Sequence, residues 1–265
     1  MDEITLSIEP PLARLRLNKP ARRNVVSRAM WRALPALCRR IETEREALVV
    51  IVDGAGDHFS AGADITEFET AHRSEESTRE FIDAIQEGLN ALIALDRPSI
   101  ATLRGNSIGG GLAIALACDL RFCAENVYLA ITASKLGLLY NFTETRRLIE
   151  LVGPSRAKDI LFSARRLDGR EALAIGLVDR LVPTDKLDEA VASYALHLAK
   201  LSQYSIRGAK YLIDAISGGL STETPPLRRV IENAARAEDC VEGRQAFAAK
   251  RAPNFTYRGS MAKSD

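Results

Sequence analysis

The stretch Gly105-Asn106-Ser107-Ile108-Gly109-Gly110-Gly111-Leu112-Ala113-Ile114-Ala115-Leu116-Ala117-Cys118-Asp119 decides how this chain reads. Three consecutive glycines open an apolar run, and a strand-like segment, Ser99 to Leu103, lies just upstream. A strand, a glycine turn and a helix leave backbone N–H groups without partners at the helix start, where the macrodipole also favours negative charge. The segment is therefore a seat for an anion or an oxyanion.

Working outward, the chain has 265 residues, 46% of them hydrophobic, enough to bury a full core as one large domain or a domain with an appendage. Its 36 basic and 35 acidic side chains leave a formal charge of +1, so no global field points to nucleic acid or to an acidic membrane. The four cysteines, Cys38, Cys118, Cys123 and Cys240, form no CxxC pair, which suits reduced thiols in a cytoplasmic protein and argues against a metal site. The N-terminus carries Asp2, Glu3 and Glu9 without an apolar signal core, and no run approaches the ~20 apolar residues that span a bilayer. A soluble protein with neither membrane nor nucleic-acid partner is expected.

The periodicity alternates strand and helix, the rhythm of an α/β fold. It predicts a strand at Leu12 to Leu17, a basic turn at Pro20 to Asn24, a helix at Val26 to Ile41 and a buried strand at Leu48 to Val52. A helix from about Thr78 to Leu95 follows, then the strand at Ser99, the glycine turn and its helix, and strands at Leu120 to Cys123 and Tyr128 to Ile131. Beyond Asn141, short helices are read at Thr143 to Val152, Pro154 to Ser163 and Gly169 to Ile175, with a strand at Val178 to Val182. From Leu187 onward the signals are helical: Leu187 to Lys200, Ile206 to Ile216, Leu227 to Cys240 and Val241 to Lys250. A strandless helical appendage often assembles subunits.

Several familiar fingerprints can be weighed. GxxxxGK[ST] is absent, and Gly54-Ala55-Gly56 lacks the third glycine and the helix of a dinucleotide fold. Gly105-Asn106-Ser107-Ile108-Gly109 matches the GxSxG of a nucleophile elbow. Ser107 then needs a downstream histidine; only His197 is available, on the polar side of its helix, while His58 and His72 precede the serine. A serine hydrolase stays a remote alternative.

The loop Asp57-His58-Phe59-Ser60-Ala61-Gly62-Ala63-Asp64-Ile65, paired with the glycine turn, resembles the two signature segments of the crotonase superfamily, the enoyl-CoA hydratase/isomerase family. The run Gly169 to Asp179 and the tail Glu242-Gly243-Arg244-Gln245-Ala246-Phe247-Ala248-Ala249-Lys250 through Phe255 resemble that family as well, so the likeness covers almost the whole chain. It implies a β-β-α spiral core, taken as residues 1–200, with a C-terminal helical oligomerisation region at 201–265, assembled as a trimer or a dimer of trimers. It also implies chemistry on an acyl-CoA thioester, with CoA entering as part of the substrate and no separate cofactor or metal. The N–H groups of Ala63 and Gly110 would receive the thioester oxygen, and one such donor in a dry site is worth ~3 kcal/mol. For CoA, the resemblance places backbone at Ala61, Asp64 and Ile65 along the adenine, Arg22 and Arg23 near CoA, and Phe247 with Lys250 as the contribution of a neighbouring subunit.

The family's hydratases carry two catalytic glutamates at positions that match Ala113 and Ala133. Alanine moves no proton, and water addition needs both an acid and a base. The run Gly137-Leu138-Leu139-Tyr140-Asn141 resembles that of methylmalonyl-CoA decarboxylase, a member of the superfamily. That likeness implies decarboxylation of a malonyl-type thioester, with Tyr140 and Thr132 holding the carboxylate and the oxyanion pair stabilising the enolate. Asn141 stands where a dehalogenating branch carries its aspartate nucleophile. Glu144 offers an alternative base for hydratase or isomerase action if it points inward, although a glutamate also suits a first helical turn by charge alone. An acyl-CoA-binding relative without catalysis is the third reading.

Overall fold

The computed structural model describes residues 2–71 and 73–261, so His72 and the last four residues of the 201–265 region lie outside the described residues. The chain opens with an antiparallel pair, β1 (Ile4–Glu9) and β2 (Leu12–Leu17). In β2 the alternation that the sequence displays is obeyed: Ala13, Leu15 and Leu17 face the core, while Arg14 and Arg16 turn to the other face. There both pair with Asp53 of β3 (Val49–Gly54), Arg16 through two bonds of 2.8 Å. Between them runs α1 (Arg28–Thr43), capped by the Ser27 hydroxyl.

A short helix, α2 (Phe68–Ala71), and the long α3 (Glu75–Ile93) lead to β4 (Ser99–Leu103). Next come β5 (Asn106–Ile108), α4 (Gly110–Ala117), β6 (Leu120–Ala124) and β7 (Tyr128–Ala130). The helix α5 (Phe142–Ser163) bends at Gly153, and β8 (Leu167–Asp168), α6 (Gly169–Ala174), β9 (Arg180–Val182) and α7 (Leu187–Ala199) follow. The chain ends in α8 (Gln203–Ser217), α9 (Pro225–Ala234) and α10 (Glu238–Ala248).

Six strands form one sheet in the order β1-β2-β3-β4-β6-β9, parallel except for β1, and β5-β7-β8 form a second. Each turn of the chain therefore lays a strand in the large sheet, one in the small sheet, and then a helix: β4-β5-α4 is one such turn, and β6-β7-α5 the next. The turn before them has two isolated parallel bridges, Ser60 to Ser107 and Ala63 to Val26, in place of its second strand. This is the β-β-α spiral that the resemblance implies. Parallel strands covered on both faces read as unbroken apolar runs. The main core lies against α1, α3 and α4, and on the opposite face Leu187, Val191 and Ala195 of α7 pack on Leu48, Ile51, Ile100 and Phe122. The helix α4 is apolar all round because it is enclosed by the molecule.

The structure corrects the sequence reading at several points. The chain does not pass from β4 directly into the glycine turn; β5 intervenes. The strands β1, β5 and β8 were not anticipated, and the helix expected over Leu227 to Cys240 breaks at 235–237 into α9 and α10. Tyr204 of α8 and Val230 of α9 share a small core with Met261, and α8 is tied to the spiral by Lys210 Nζ, 2.8 Å from Asp119. Among the described residues no helix is long and apolar enough to cross a membrane.

Candidate active site

The loop after β3 is held from beneath by two buried polar side chains. Asn24 Nδ2 donates to the carbonyls of Ala55 and His58, at 2.8 and 2.7 Å. Ser60 Oγ donates to Asn24 O at 2.7 Å and accepts the Gly62 N–H at 3.1 Å. Gly62 O then accepts from Val26 N at 2.8 Å, and Asp64 N donates to Val26 O at 3.0 Å. Since hydrogen-bonding direction alternates along extended backbone, these two bonds turn the Ala63 N–H the other way, toward a cavity that Ala63 lines.

The glycine turn arrives from the opposite side. Gly109, at φ 48° and ψ −116°, holds a conformation that a side chain would strain, and its N–H donates to Ala130 O at 2.8 Å. Gly110 is the first residue of α4, so its N–H has no acceptor within the helix. A Cβ at Gly110 would lie 3.5 Å from Ala63 N, and one at Gly111 would lie 2.4 Å from Ser60 Cβ. Small residues let the two backbone segments meet, and neither the Ala63 nor the Gly110 N–H donates to a backbone carbonyl among the described residues.

Both amides open on a cavity of about 480 Å³. Its walls are largely apolar: Trp31 from α1, Phe81, Ile82 and Ile85 from α3, and Ile131 after β7. Phe68 and Phe81 meet edge to face with ring centres 6.2 Å apart. The polar side chains that line it are Thr78, Thr132, Tyr140, Asn141 and Glu144; among the described residues no lysine, arginine or histidine does so, and Glu144 is its one carboxyl. The buried indole N–H of Trp31 has no hydrogen-bond partner.

Glu144 sits in the first turn of α5 and is 5% exposed. One carboxylate oxygen accepts the Asn141 N–H at 2.7 Å, and burial raises its pKa from 4.5 to about 7 despite that bond. Capping and an inward position thus coincide in one residue. The Tyr140 hydroxyl donates to Gly109 O at 3.1 Å, and burial holds its pKa well above the ordinary value. The Tyr140 proton is thus directed to the glycine turn. Thr132 and Ala133 line the cavity, whereas Ala113 lies within α4, where its N–H donates to Gly109 O at 2.9 Å.

The residues expected to hold CoA are brought together only in part. Ala61 and Ile65 line the cavity, and Ile65 is 64% exposed. The Ala61 N–H, however, donates to Arg23 O at 2.8 Å, and the exposed Arg23 adopts a left-handed backbone. Arg22 is paired through two bonds of 2.8 and 2.9 Å with the buried Asp64, so it is an anchor of the loop and not a free cation. Burial works to raise the Asp64 pKa, but bonds from Thr66 and Arg22 outweigh it and hold the carboxyl below its ordinary value. Phe247, 88% exposed, and Lys250 lie near the end of the chain and do not line the cavity of their own subunit.

No nucleophile elbow is assembled. Ser107 is fully buried within β5, its hydroxyl lacks a partner, and it does not line the cavity. His197 is exposed on α7, and His58 Nδ1 is occupied by the Asn106 N–H at 3.1 Å. Conversely, Trp31 and the α3 wall escaped the sequence reading. The spacing of Phe81, Ile85, Leu89 and Leu92 marks a buried helix face, but periodicity does not tell which of those side chains meet a cavity and which meet the core.

Comparison with known proteins agrees with this geometry. The family model described as enoyl-CoA hydratase/isomerase matches residues 7–258. The Bacillus subtilis (strain 168) protein YngF, named for enoyl-CoA hydratase/isomerase, is 32% identical over 250 residues, which cover 94% of this chain and 95% of that one. A crystal structure of an enoyl-CoA hydratase/isomerase family protein from Hyphomonas neptunium superposes with a TM-score of 0.94 at 39% identity, covering 97% of this chain and 98% of that one. An enoyl-CoA hydratase/carnithine racemase from Magnetospirillum magneticum gives 0.92 at 32% identity, over 97% and 96% of the two chains.

Proposed function

This chain belongs to the enoyl-CoA hydratase/isomerase family, and within that family we propose that it shifts the double bond of an enoyl-CoA thioester by a proton relay through Glu144. The observation that carries this reading is the single buried carboxyl in a cavity that also receives two unpartnered backbone N–H groups. The thioester oxygen would accept from Ala63 N and Gly110 N, so that charge developing there on enolisation meets fixed donors in a dry site. Glu144, ionised, takes a proton from C2 of a 3-enoyl thioester, and the electron pair spreads into a dienolate. The protonated Glu144 then returns the proton at C4, giving the 2-enoyl thioester with no other reactant consumed. A group with a pKa of about 7 serves both as base and as acid near neutral pH.

Hydration asks for two such groups, and alanine stands at 113 and 133. Decarboxylation, which the Gly137 to Asn141 resemblance favours, finds less support in the cavity. The Tyr140 hydroxyl is engaged at Gly109 O, and among the described residues the one ionisable carboxyl or cation in the lining is Glu144, which when ionised would repel a substrate carboxylate. The reaction calls for no cofactor beyond the CoA of the substrate. Completion of the CoA site by Phe247 and Lys250 of a neighbouring subunit in a trimer or hexamer is part of the same proposal, and the unpaired cysteines suit a cytoplasmic setting.

Incubation with 3-octenoyl-CoA, crotonyl-CoA and methylmalonyl-CoA in parallel tests it. We expect conjugated 2-octenoyl-CoA to accumulate, and Glu144→Gln to slow its formation at least about 100-fold. Release of CO₂ from methylmalonyl-CoA that survives the substitution would overturn the assignment. Turnover of none of the three, with acyl-CoA affinity intact, would point to a binding protein.

A further inference from the structure

The oxyanion reading treats Gly110 N–H as a bare backbone donor, yet its peptide group is not bare. The carbonyl of that same peptide belongs to Gly109, and it accepts two hydrogen bonds, from Ala113 N at 2.9 Å and from the Tyr140 hydroxyl at 3.1 Å. A hydrogen bond at a peptide oxygen draws electron density from the peptide nitrogen and strengthens the N–H as a donor. We propose that Tyr140 is a positioning residue that fixes and polarises the Gly109–Gly110 peptide, so that Gly110 N–H binds the thioester oxygen more strongly. The proposal rests on the assignment of Gly110 N–H to that oxygen.

Three features support a purpose beyond packing. The Ala113 bond is the ordinary first bond of α4 and would exist without Tyr140; the tyrosine supplies a second donor to a carbonyl already satisfied. Tyr140 is also fixed at its own carbonyl, which accepts from Thr145 Oγ1 at 3.1 Å, so its phenol is directed by the same helix start that presents Glu144. Finally, Gly109 has no side chain to steady it, and a residue at φ 48° and ψ −116° ahead of a donor profits from an external tie. The start of α5 would thus act on both ends of the enolate: through Glu144 on the carbon that gives up its proton, and through Tyr140 and the intervening peptide on the oxygen that takes the charge.

The test reads the donor directly. Octanoyl-CoA labelled with ¹³C at the thioester carbonyl is saturated and cannot be isomerised, and its carbonyl stretch in infrared difference spectra reports the hydrogen bonding at that oxygen. In the unaltered protein the stretch should lie below its position in water. With Tyr140→Phe it should move part of the way back, and kcat with 3-octenoyl-CoA should fall about two- to fivefold while KM stays within about twofold. With 3-fluorotyrosine at position 140, a stronger donor of nearly unchanged shape, the stretch should move further down. A residue that merely fills space would not give that graded response. A downward shift in the unaltered protein that is identical in both variants would overturn the role of Tyr140 and leave the oxyanion pair standing. Absence of any downward shift in the unaltered protein would remove the oxyanion pair and this proposal with it. Should Tyr140→Phe fail to fold, the fluorotyrosine protein alone decides, because an unmoved stretch there overturns the proposal.

Discussion

One oxygen of Glu144 accepts the Asn141 N–H, while burial among the cavity walls penalises the charge that the carboxyl would carry. A shift from 4.5 to about 7 is worth about 3 kcal/mol at ~1.4 kcal/mol per unit. Because the folded-state pKa is raised, this stabilisation is fully present below the pKa of the unfolded chain and is lost as pH rises through about 7. We therefore expect the stability of the native protein relative to Glu144→Gln to fall by about 3 kcal/mol between about pH 4 and about pH 8, as read from urea midpoints at each pH. A difference that does not vary with pH would mean that the carboxyl is solvated. Activity should move oppositely, with kcat/KM rising as Glu144 ionises. At this scale the sequence was legible only in outline. A glutamate in the first turn of a helix reads as a charge preference; the structure adds its bond to the Asn141 N–H, and no spacing reveals that the carboxyl is buried beside a cavity. The same holds for Tyr140, whose direction depends on where α4 lies.

The helix α5 carries Glu144 in its first turn, with Tyr140 just ahead of its cap Asn141, and its shape depends on a bend. Gly153, at φ 76° and ψ 165°, lies in a region of backbone space that is almost closed to side chains, followed at once by Pro154. Beyond its chain neighbours and the nearby backbone of its own helix, no atom lies within 4 Å of where its Cβ would be. Gly153→Ala therefore meets no clash, and its whole cost is conformational. We expect a loss of about 1–3 kcal/mol, measured as a lower melting temperature, with a normal KM because the half from Phe142 to Val152 still presents Glu144. An unchanged melting temperature would imply that the two halves straighten into one helix. The break itself was visible in the sequence as Gly153-Pro154. The break between α9 and α10 was not, since Ala235-Arg236-Ala237 contains no breaking residue and only packing ends the helix there. The strands β5 and β8 span three and two residues, too short for a period-2 pattern to register, and they exist because the spiral lays them beside β7.

At the scale of the whole molecule, the four sequence segments that carry the resemblance lie far apart in the chain and were enough for the fold, because three of them are tied to a backbone requirement. Gly62 and Gly111 permit the approach of two loops, Gly109 supplies the positive φ of the turn, and Gly169 packs where a Cβ would lie 2.6 Å from Leu181 Cδ1. The proposed CoA contacts were less legible, since Arg22 reads as a free cation until Asp64 is seen beside it. On the proposed reading, with Arg22 paired to Asp64 and no cation lining the cavity among the described residues, nucleotide recognition would fall to exposed groups such as Arg23 and, from a neighbouring subunit, Lys250. A charge-assisted bond to phosphate is worth about 1.5–3 kcal/mol, roughly tenfold or more in affinity. We expect Lys250→Ala to raise KM for 3-octenoyl-CoA about tenfold with kcat unchanged, and to leave turnover of the matching N-acetylcysteamine thioester, which has no nucleotide, unaffected. An equal effect on both esters would mean that Lys250 acts on folding or assembly. No effect on either would mean that phosphate is held by other residues and that the C-terminal tail is not part of the site.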